Sequence, residues 1–151
     1  MKVILATDGT KFGDAAVEML GKFSLCDGDS VKIISVVDMA MPLAIDIYGG
    51  YLPDTTEIEK AARSQAAKVV DDTSAKLRTF FGEKSVDIST DILFGSPDSR
   101  IVETAEERGA DLIVIGSHGY KRWERLLLGS VSDSVVHHAH CSVLVVRSQS
   151  G

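Results

Sequence analysis

Short apolar runs alternate along this chain with longer segments in which apolar residues recur every three or four positions. The runs are rich in valine, isoleucine and leucine, as is typical of strands buried on both faces of a sheet. They predict five strands, over residues 3–6, 31–37, 86–93, 112–115 and 143–146. The third run alternates apolar with polar residues, which favours a position at the edge of the sheet.

The segments between these runs predict helices over residues 13–25, 57–81 and 98–108, and a short fourth helix that opens at Gly129-Ser130. Gly82 and Gly109 are expected to end the second and third helices. The predicted apolar face of the long helix consists of Ile58, Ala62, Ala66, Val69, Val70, Thr73, Leu77 and Phe80. Ile101, Val102 and Ala105 are expected on the inner face of the third helix.

Residues 38–56 follow neither period. A loop of this length within a small domain is often functional, so we expect a mobile flap. Its methionines and tyrosines either fold over a flat base or pack on one another, and the pattern leaves both interpretations open.

Strands that alternate with helices indicate βαβ units, right-handed crossovers and a mainly parallel α/β sheet with helices on both faces. The 151 residues, of which 44% are hydrophobic, are expected to form a single domain, residues 1–151, with a substantial core. The formal charge of −6 argues against a broad nucleic-acid-binding surface, although it does not exclude a local phosphate pocket.

No apolar run approaches the roughly 20 residues of a membrane span. The chain also opens on a strand-like run instead of a signal segment, so we expect a cytoplasmic protein without a membrane partner. Cys26 and Cys141 form no repeated spacing. They indicate neither a disulfide framework nor a zinc ribbon, and we expect both to be reduced and at least half-buried.

The fourth run ends in Gly116-Ser117-His118-Gly119, and Gly129-Ser130 follows after nine further residues. Glycines let backbone amides approach an anion and permit positive φ, so Gly116 and Gly119 are expected to form a turn. The helix that begins at Gly129-Ser130 would point its unpaired amides at the same space, and Ser130 suits both an N-cap and a phosphate contact. The spacing alone also fits a turn that merely reverses the chain.

Asp8 follows the first run, at the end of a strand where open α/β sheets place ligands. A helix N-cap or turn aspartate is the alternative interpretation. Between Gly119 and Gly129, the cations Lys121, Arg122 and Arg125 either neutralise phosphate charge or form a solvated face. Trp123 is interpreted as a packing anchor.

These residues resemble the universal stress protein family, whose nucleotide-binding members carry Gly-x-x-Gly, nine residues and then Gly-[Ser/Thr]. Gly116, Gly119, Gly129 and Ser130 match that motif at every position. The resemblance extends from Ile4-Leu5-Ala6-Thr7-Asp8-Gly9 to the final run, which begins at Val143 and ends at Val146.

The resemblance implies a Rossmann-like fold similar to the adenine nucleotide alpha hydrolases, with five parallel strands in the order 3-2-1-4-5. It also implies that ATP lies across the switch point between strands 1 and 4. The base would lie near the backbone of Val36 and the ribose near Asp8, with Mg²⁺ bridging phosphate oxygens. The phosphates would lie on Gly116, Gly119, Gly129, Ser130 and the Val131 amide.

Other sites are disfavoured by the motifs that are missing. The chain contains neither Gly-x-Gly-x-x-Gly after a strand nor a P-loop sequence. A haloacid-dehalogenase nucleophile would be needed where Ala6 stands, and a receiver domain would need paired acids after the first strand. His137 and Cys141 are spaced for one helix face, but no two further ligands accompany them, so no metal site is expected. Family members commonly have His-Ala-Pro-Cys-Pro here, whereas this chain has His140 and Ser142 in place of the prolines.

The leading hypothesis is an ATP-binding protein with a regulatory role in stress survival, in which the nucleotide is the signal. His118, Ser132 and Asp133 are the candidates for assisting hydrolysis, but they form no recognisable dyad, so we expect no enzyme, or at most a slow ATPase. The alternative is an interaction module with a structural nucleotide. The final strand pairs across a dimer axis in the family, which implies a homodimer.

Overall fold

The computed structural model describes residues 1–38, 55–118 and 128–148. Five strands form one parallel sheet in the order β3-β2-β1-β4-β5, which confirms the predicted fold class and strand order. The strands are β1 (Lys2–Ala6), β2 (Ser30–Asp38), β3 (Asp87–Gly95), β4 (Leu112–Gly116) and β5 (Ser142–Val146). The helices are α1 (Lys11–Gly21), α2 (Thr55–Phe81), α3 (Pro97–Arg108) and α4 (Ser130–His138).

Successive residues of a strand point to opposite faces of the sheet, and helices cover both faces. Val3 and Leu5 of β1 pack in the cluster that contains α1 and α2, whereas Ile4 and Ala6 pack in the cluster that contains α3 and α4. The central strands therefore have few exposed positions, which explains their continuous apolar runs. β3 lies at one edge of the sheet, as its alternating pattern predicted, and β5 lies at the other.

Both predicted glycine stops are confirmed. Gly82 and Gly109 follow α2 and α3 with φ of +59° and +58°, the left-handed conformation that glycine adopts without strain. The prediction for α1 was wrong, because this helix ends at Gly21 instead of continuing to residue 25. The ring of Phe80 lies where a side chain at Gly21 would stand, with its Cδ2 only 2.5 Å from the Cβ position.

Three residues, Phe80, Ile58 and Cys26, are more exposed than predicted. At the end of α2, Phe81 is buried in the core, whereas Phe80 is 48% exposed. Ile58, at the other end of this helix, is 44% exposed. Cys26 is exposed, whereas Cys141 is half-buried as predicted. Burial raises the pKa of the Cys141 thiol. No helix in the described ranges has both the length and the apolar composition needed to cross a bilayer.

Candidate functional site

The carboxyl ends of β1 and β4 meet at the centre of the sheet. Ala6 and Ile115 are register partners, so the residues that follow them leave the sheet side by side. The segments that follow β1 and β4 then diverge. The Thr7 amide donates to the Ile34 oxygen of β2 at 3.0 Å, whereas the Ser117 amide donates to the Val146 oxygen of β5 at 2.8 Å. This divergence is the switch point at which open α/β sheets form a crevice.

Asp8 lies in that crevice, half-buried at the amino end of α1. Its Oδ1 accepts hydrogen bonds from the Thr10 amide at 3.0 Å and from the Thr10 hydroxyl at 2.6 Å. The Thr10 hydroxyl therefore does not cap α1, although Thr10 is the N-cap residue. The turn role that the sequence left open for Asp8 is thus present in the structure.

Gly116 is the last residue of β4, and its φ is not positive, so the expectation that it forms a turn was wrong. A Cβ built on it would stand 2.6 Å from the backbone oxygen of Phe12 in the first turn of α1. The absence of a side chain is therefore required by helix packing. The Phe12 ring in turn lies 5.1 Å from the ring of His118.

Gly129 is the N-cap of α4 and adopts an extended conformation, with φ −75° and ψ 162°. Ser130 is consequently the first helical residue, so the expectation that its side chain caps α4 was wrong. The first intrahelical bond runs from the Asp133 amide to the Gly129 oxygen at 2.9 Å. The amides of Ser130, Val131 and Ser132 thus have no acceptor within the helix, and no side chain of the described residues caps them.

A buried hydroxyl fixes this helix end against the chain that leaves β4. The Ser132 hydroxyl is shared between the Ser117 oxygen at 2.9 Å and the Gly129 oxygen at 3.0 Å. The Ser117 oxygen also accepts the Gly129 amide at 2.7 Å. Ser117 and Ser132 are 1% and 2% exposed, so their polar groups need these partners.

The three side chains considered for hydrolysis are not arranged as an acid–base pair. Ser132 is buried in the contacts just described, which correct its interpretation as a catalytic candidate. His118 places Nδ1 3.0 Å from the Ser117 hydroxyl. Asp133 is exposed, and its Oδ2 lies 3.8 Å from Nδ1 of His137, one turn farther along α4.

A second link ties α4 to α3. The Ser134 hydroxyl donates to Oδ2 of Asp98 at 2.7 Å, and the Ser96 hydroxyl donates to Oδ1 of the same carboxylate at 2.6 Å. The hydrogen bonds from Ser96 and then Ser134 lower the pKa of Asp98. Two serines and an aspartate that are not contiguous in the sequence give no recognisable motif, so sequence reasoning missed this link.

The remaining predicted site residues are distributed as follows. Val36 is half-buried on β2, two residues before the carboxyl end of that strand. Gly119, the basic residues of the spacer and most of the predicted flap lie outside the described residues. Among residues 1–38, 55–118 and 128–148, no three histidine, cysteine or acidic side chains converge as metal ligands.

The family model for the universal stress protein family matches residues 1–147 of this chain. The chain is 35% identical to universal stress protein MJ0531 of Methanocaldococcus jannaschii over 147 residues, which cover 97% of this chain and 81% of that protein. Its fold is similar to that of an Arabidopsis thaliana universal stress protein family protein solved with AMP bound, with a TM-score of 0.70, 17% identity and coverage of 99% and 93%.

A universal stress protein solved in complex with cAMP is similar in the same way, with a TM-score of 0.66, 20% identity and coverage of 99% of this chain and 98% of that one. These two likenesses concern the fold. The family match over nearly the whole chain, together with the identity to the Methanocaldococcus protein, decides the relationship. The chain belongs to the universal stress protein family.

Proposed function

We propose that this protein binds an adenine nucleotide at the carboxyl ends of β1 and β4, and that the nucleotide is a signal in stress survival. ATP with Mg²⁺ is the leading ligand. The amino end of α4 carries the proposal: three consecutive amides, those of Ser130, Val131 and Ser132, have no cap among the described side chains. They lie beside the crevice at the switch point.

A phosphate suits that helix end for two physical reasons. Its oxygens accept hydrogen bonds from the unpaired amides, and the end of a helix carries a partial positive charge of about half a unit. Gly129 brings the backbone of α4 within contact distance of Ser117 and His118, since a Cβ there would stand 3.1 Å from the Ser117 oxygen. The proposed phosphate site consists of Gly116, Gly119, Gly129, Ser130 and the Val131 amide.

The proposed ribose and base contacts follow the crevice towards β2. Asp8 would face the ribose or the metal with its carboxylate, and the backbone near Val36 would face the adenine. The AMP and cAMP found in the two similar structures share the adenine, ribose and one phosphate with ATP. That shared part supports an adenine ligand in general more than the triphosphate in particular.

Mg²⁺ would be held mainly by the nucleotide. Mg²⁺ keeps several waters and is commonly bound through one or two carboxylates together with substrate phosphates. Asp8 is the carboxylate proposed to assist from the carboxyl end of β1, and its Oδ1 already accepts two hydrogen bonds from Thr10. The donor set therefore fits a metal that arrives with the phosphates.

We propose little or no hydrolysis, because efficient ATPases need a positioned water or base and charge stabilisation at the γ-phosphate. Ser132 is occupied by the backbone oxygens of Ser117 and Gly129. A slow ATPase is the alternative within this proposal. Phosphate release measured with excess ATP distinguishes the two, and a rate abolished by His118→Ala would favour the enzyme.

A homodimer through β5 is a further part of the proposal. β5 pairs with β4 on one side only among the described strands. The Val146 oxygen points towards β4, because it accepts the Ser117 amide. Since the N–H and C=O of one strand residue point to the same side, those of Val143 and Val145 point to the outer edge, where a second chain could pair.

The test is calorimetric titration of ATP with Mg²⁺ into nucleotide-free protein, with ADP, AMP and cAMP as parallel ligands. Gly129→Val should abolish binding, because its side chain must displace the start of α4 from Ser117 and His118. Gly109→Val is the matched control: it strains a left-handed glycine at the far end of α3, where a Cβ meets nothing within 4 Å. Absence of binding by the intact protein, or equal loss in both variants, would refute the proposed site.

A further inference from the structure

A polar cavity lies at the opposite end of the strands from the proposed nucleotide site. It encloses about 180 Å³ where the amino ends of β1, β2 and β3 meet the carboxyl end of α3. That volume is several times what one water molecule requires. Its polar lining consists of Lys2, Ser30, Lys32, Asp87, Ser89 and Arg108.

Lys32 is the unusual member of this set. It occupies a strand position within the sheet and is only 9% exposed. Burying an ammonium group costs free energy unless acceptors replace the water that it loses. Its Nζ has two acceptors among the described residues, the Thr90 oxygen at 3.3 Å and Oδ2 of Asp91 at 3.4 Å. Both contacts are longer than the 2.7–2.9 Å common for charge-assisted hydrogen bonds, so a closer anionic acceptor would satisfy the ammonium better.

The rest of the lining supplies further donors. The hydroxyls of Ser30 and Ser89 make no hydrogen bond with the described part of the chain. Lys2 places its ammonium 3.3 Å from the Arg108 oxygen, which keeps this cation at the end of α3. Three cations thus line a small cavity in a chain whose formal charge is −6. Asp87 in the lining and Asp91 beside Lys32 offset two of these charges, and the negative end of the α3 dipole offsets about half a charge more.

We propose that this cavity binds inorganic phosphate in its monohydrogen form. The phosphate oxygens accept from Lys32, Lys2, Arg108 and the two serine hydroxyls. Asp87 fits the same ligand, because a monohydrogen phosphate carries one O–H that donates to a carboxylate. Sulfate lacks that proton and places an unshielded negative charge beside Asp87, so the site should prefer phosphate to sulfate.

The probe is inorganic phosphate, titrated calorimetrically into nucleotide-free protein at constant ionic strength, with sulfate as the comparison. We expect saturable phosphate binding that Lys32→Met weakens at least tenfold. Lys60→Met, which removes an exposed lysine of α2, should leave it unchanged. Asp87→Asn should reduce the preference for phosphate over sulfate.

A second arm of the experiment distinguishes binding in this cavity from binding at the proposed phosphate site of the nucleotide. Gly129→Val should retain phosphate binding here, whereas loss in Gly129→Val with retention in Lys32→Met would assign the phosphate to the nucleotide site and overturn the proposal. Equal binding by Lys32→Met and the intact protein, or no saturable binding at all, would do the same. Arg108→Gln, at an exposed position, provides an independent variant with an expected severalfold loss if Lys32→Met does not fold.

Discussion

The backbone oxygen of Phe12 lies 2.6 Å from the point where a Cβ on Gly116 would stand. The first turn of α1 therefore rests directly on the last residue of β4. Because the obstructing atom belongs to the backbone, it cannot rotate away as the end of a flexible side chain would. The first glycine of the motif is thus needed by the fold, whether or not its amide also contacts a phosphate.

Gly116→Ala should accordingly destabilise the protein by about 2–3 kcal/mol, in the upper part of the range for overpacked sites. Urea denaturation of the nucleotide-free protein measures this cost. Gly82→Ala is the control, since its φ is positive but its surroundings are open, and strain alone should cost roughly 1 kcal/mol. Equal costs in the two variants would mean that α1 can move away from β4.

Ser132→Ala should loosen the start of α4 while leaving the fold intact. Both oxygens that share the hydroxyl keep a backbone donor, so the loss of stability should be about 1 kcal/mol. If α4 holds the phosphates, nucleotide affinity should fall by roughly fivefold, which corresponds to a similar free energy. Calorimetry beside the exposed Ser99→Ala control measures it, and an unchanged affinity would show that this hydroxyl does not position the site.

Asp98→Asn tests the link between α3 and α4. The pKa of Asp98 is lowered by the hydrogen bonds from Ser96 and Ser134. A lowered carboxyl pKa contributes stability that is fully present above the unfolded value of about 3.9 and is lost as the pH falls through the folded value. The variant should therefore cost about 1 kcal/mol at pH 7, and the difference from the intact protein should shrink at lower pH.

Free energies of unfolding in urea, measured between pH 7 and pH 3, check this difference. Asp71→Asn is the control, because this exposed carboxylate on α2 makes no hydrogen bond or ion pair within the described residues. A cost for Asp98→Asn that stayed constant with pH would refute a charge-dependent link.

Val145→Pro should convert the proposed dimer into a monomer. The Val145 amide points away from β4, so proline removes a donor from the outer edge without breaking the β4–β5 ladder. Val145→Ala trims the same side chain but keeps the amide, and it should remain dimeric. Sedimentation at micromolar concentration measures the oligomeric state of both variants. A dimeric Val145→Pro variant would assign association to another surface, and a monomeric intact protein would remove the dimer from the proposal.

The sheet could be predicted because burial on two faces leaves a plain signal. Strand β1 is apolar at four consecutive positions, and only a covered central strand needs that pattern. The strand order came instead from family resemblance. Helix ends were less predictable, since α1 ends at Gly21 although apolar residues continue at helical spacing to Phe23.

The sequence predicted a candidate site at the carboxyl ends of β1 and β4, and its ligand contacts stay predictions, but the reasons for its residue types could not be predicted. Sequence reasoning assigned the small size of Gly116 to a turn, whereas Phe12 requires it. It also treated Ser132 as a reactive group, because nothing local reveals that the hydroxyl is 2% exposed and faces two backbone oxygens. Buried serines give no periodic signal.

The hydrogen bond from the Gly129 amide to the Ser117 oxygen also holds the start of α4 beside the end of β4, independently of the number of residues between them. This bond joins the residues on either side of the segment 118–128 and so fixes the two ends of that segment relative to each other. The entropy of closing a loop grows only slowly with its length, by about 0.6 kcal/mol for each doubling. A change in the number of residues between these ends should therefore cost little closure entropy, so the segment can vary in length while the sheet stays the same.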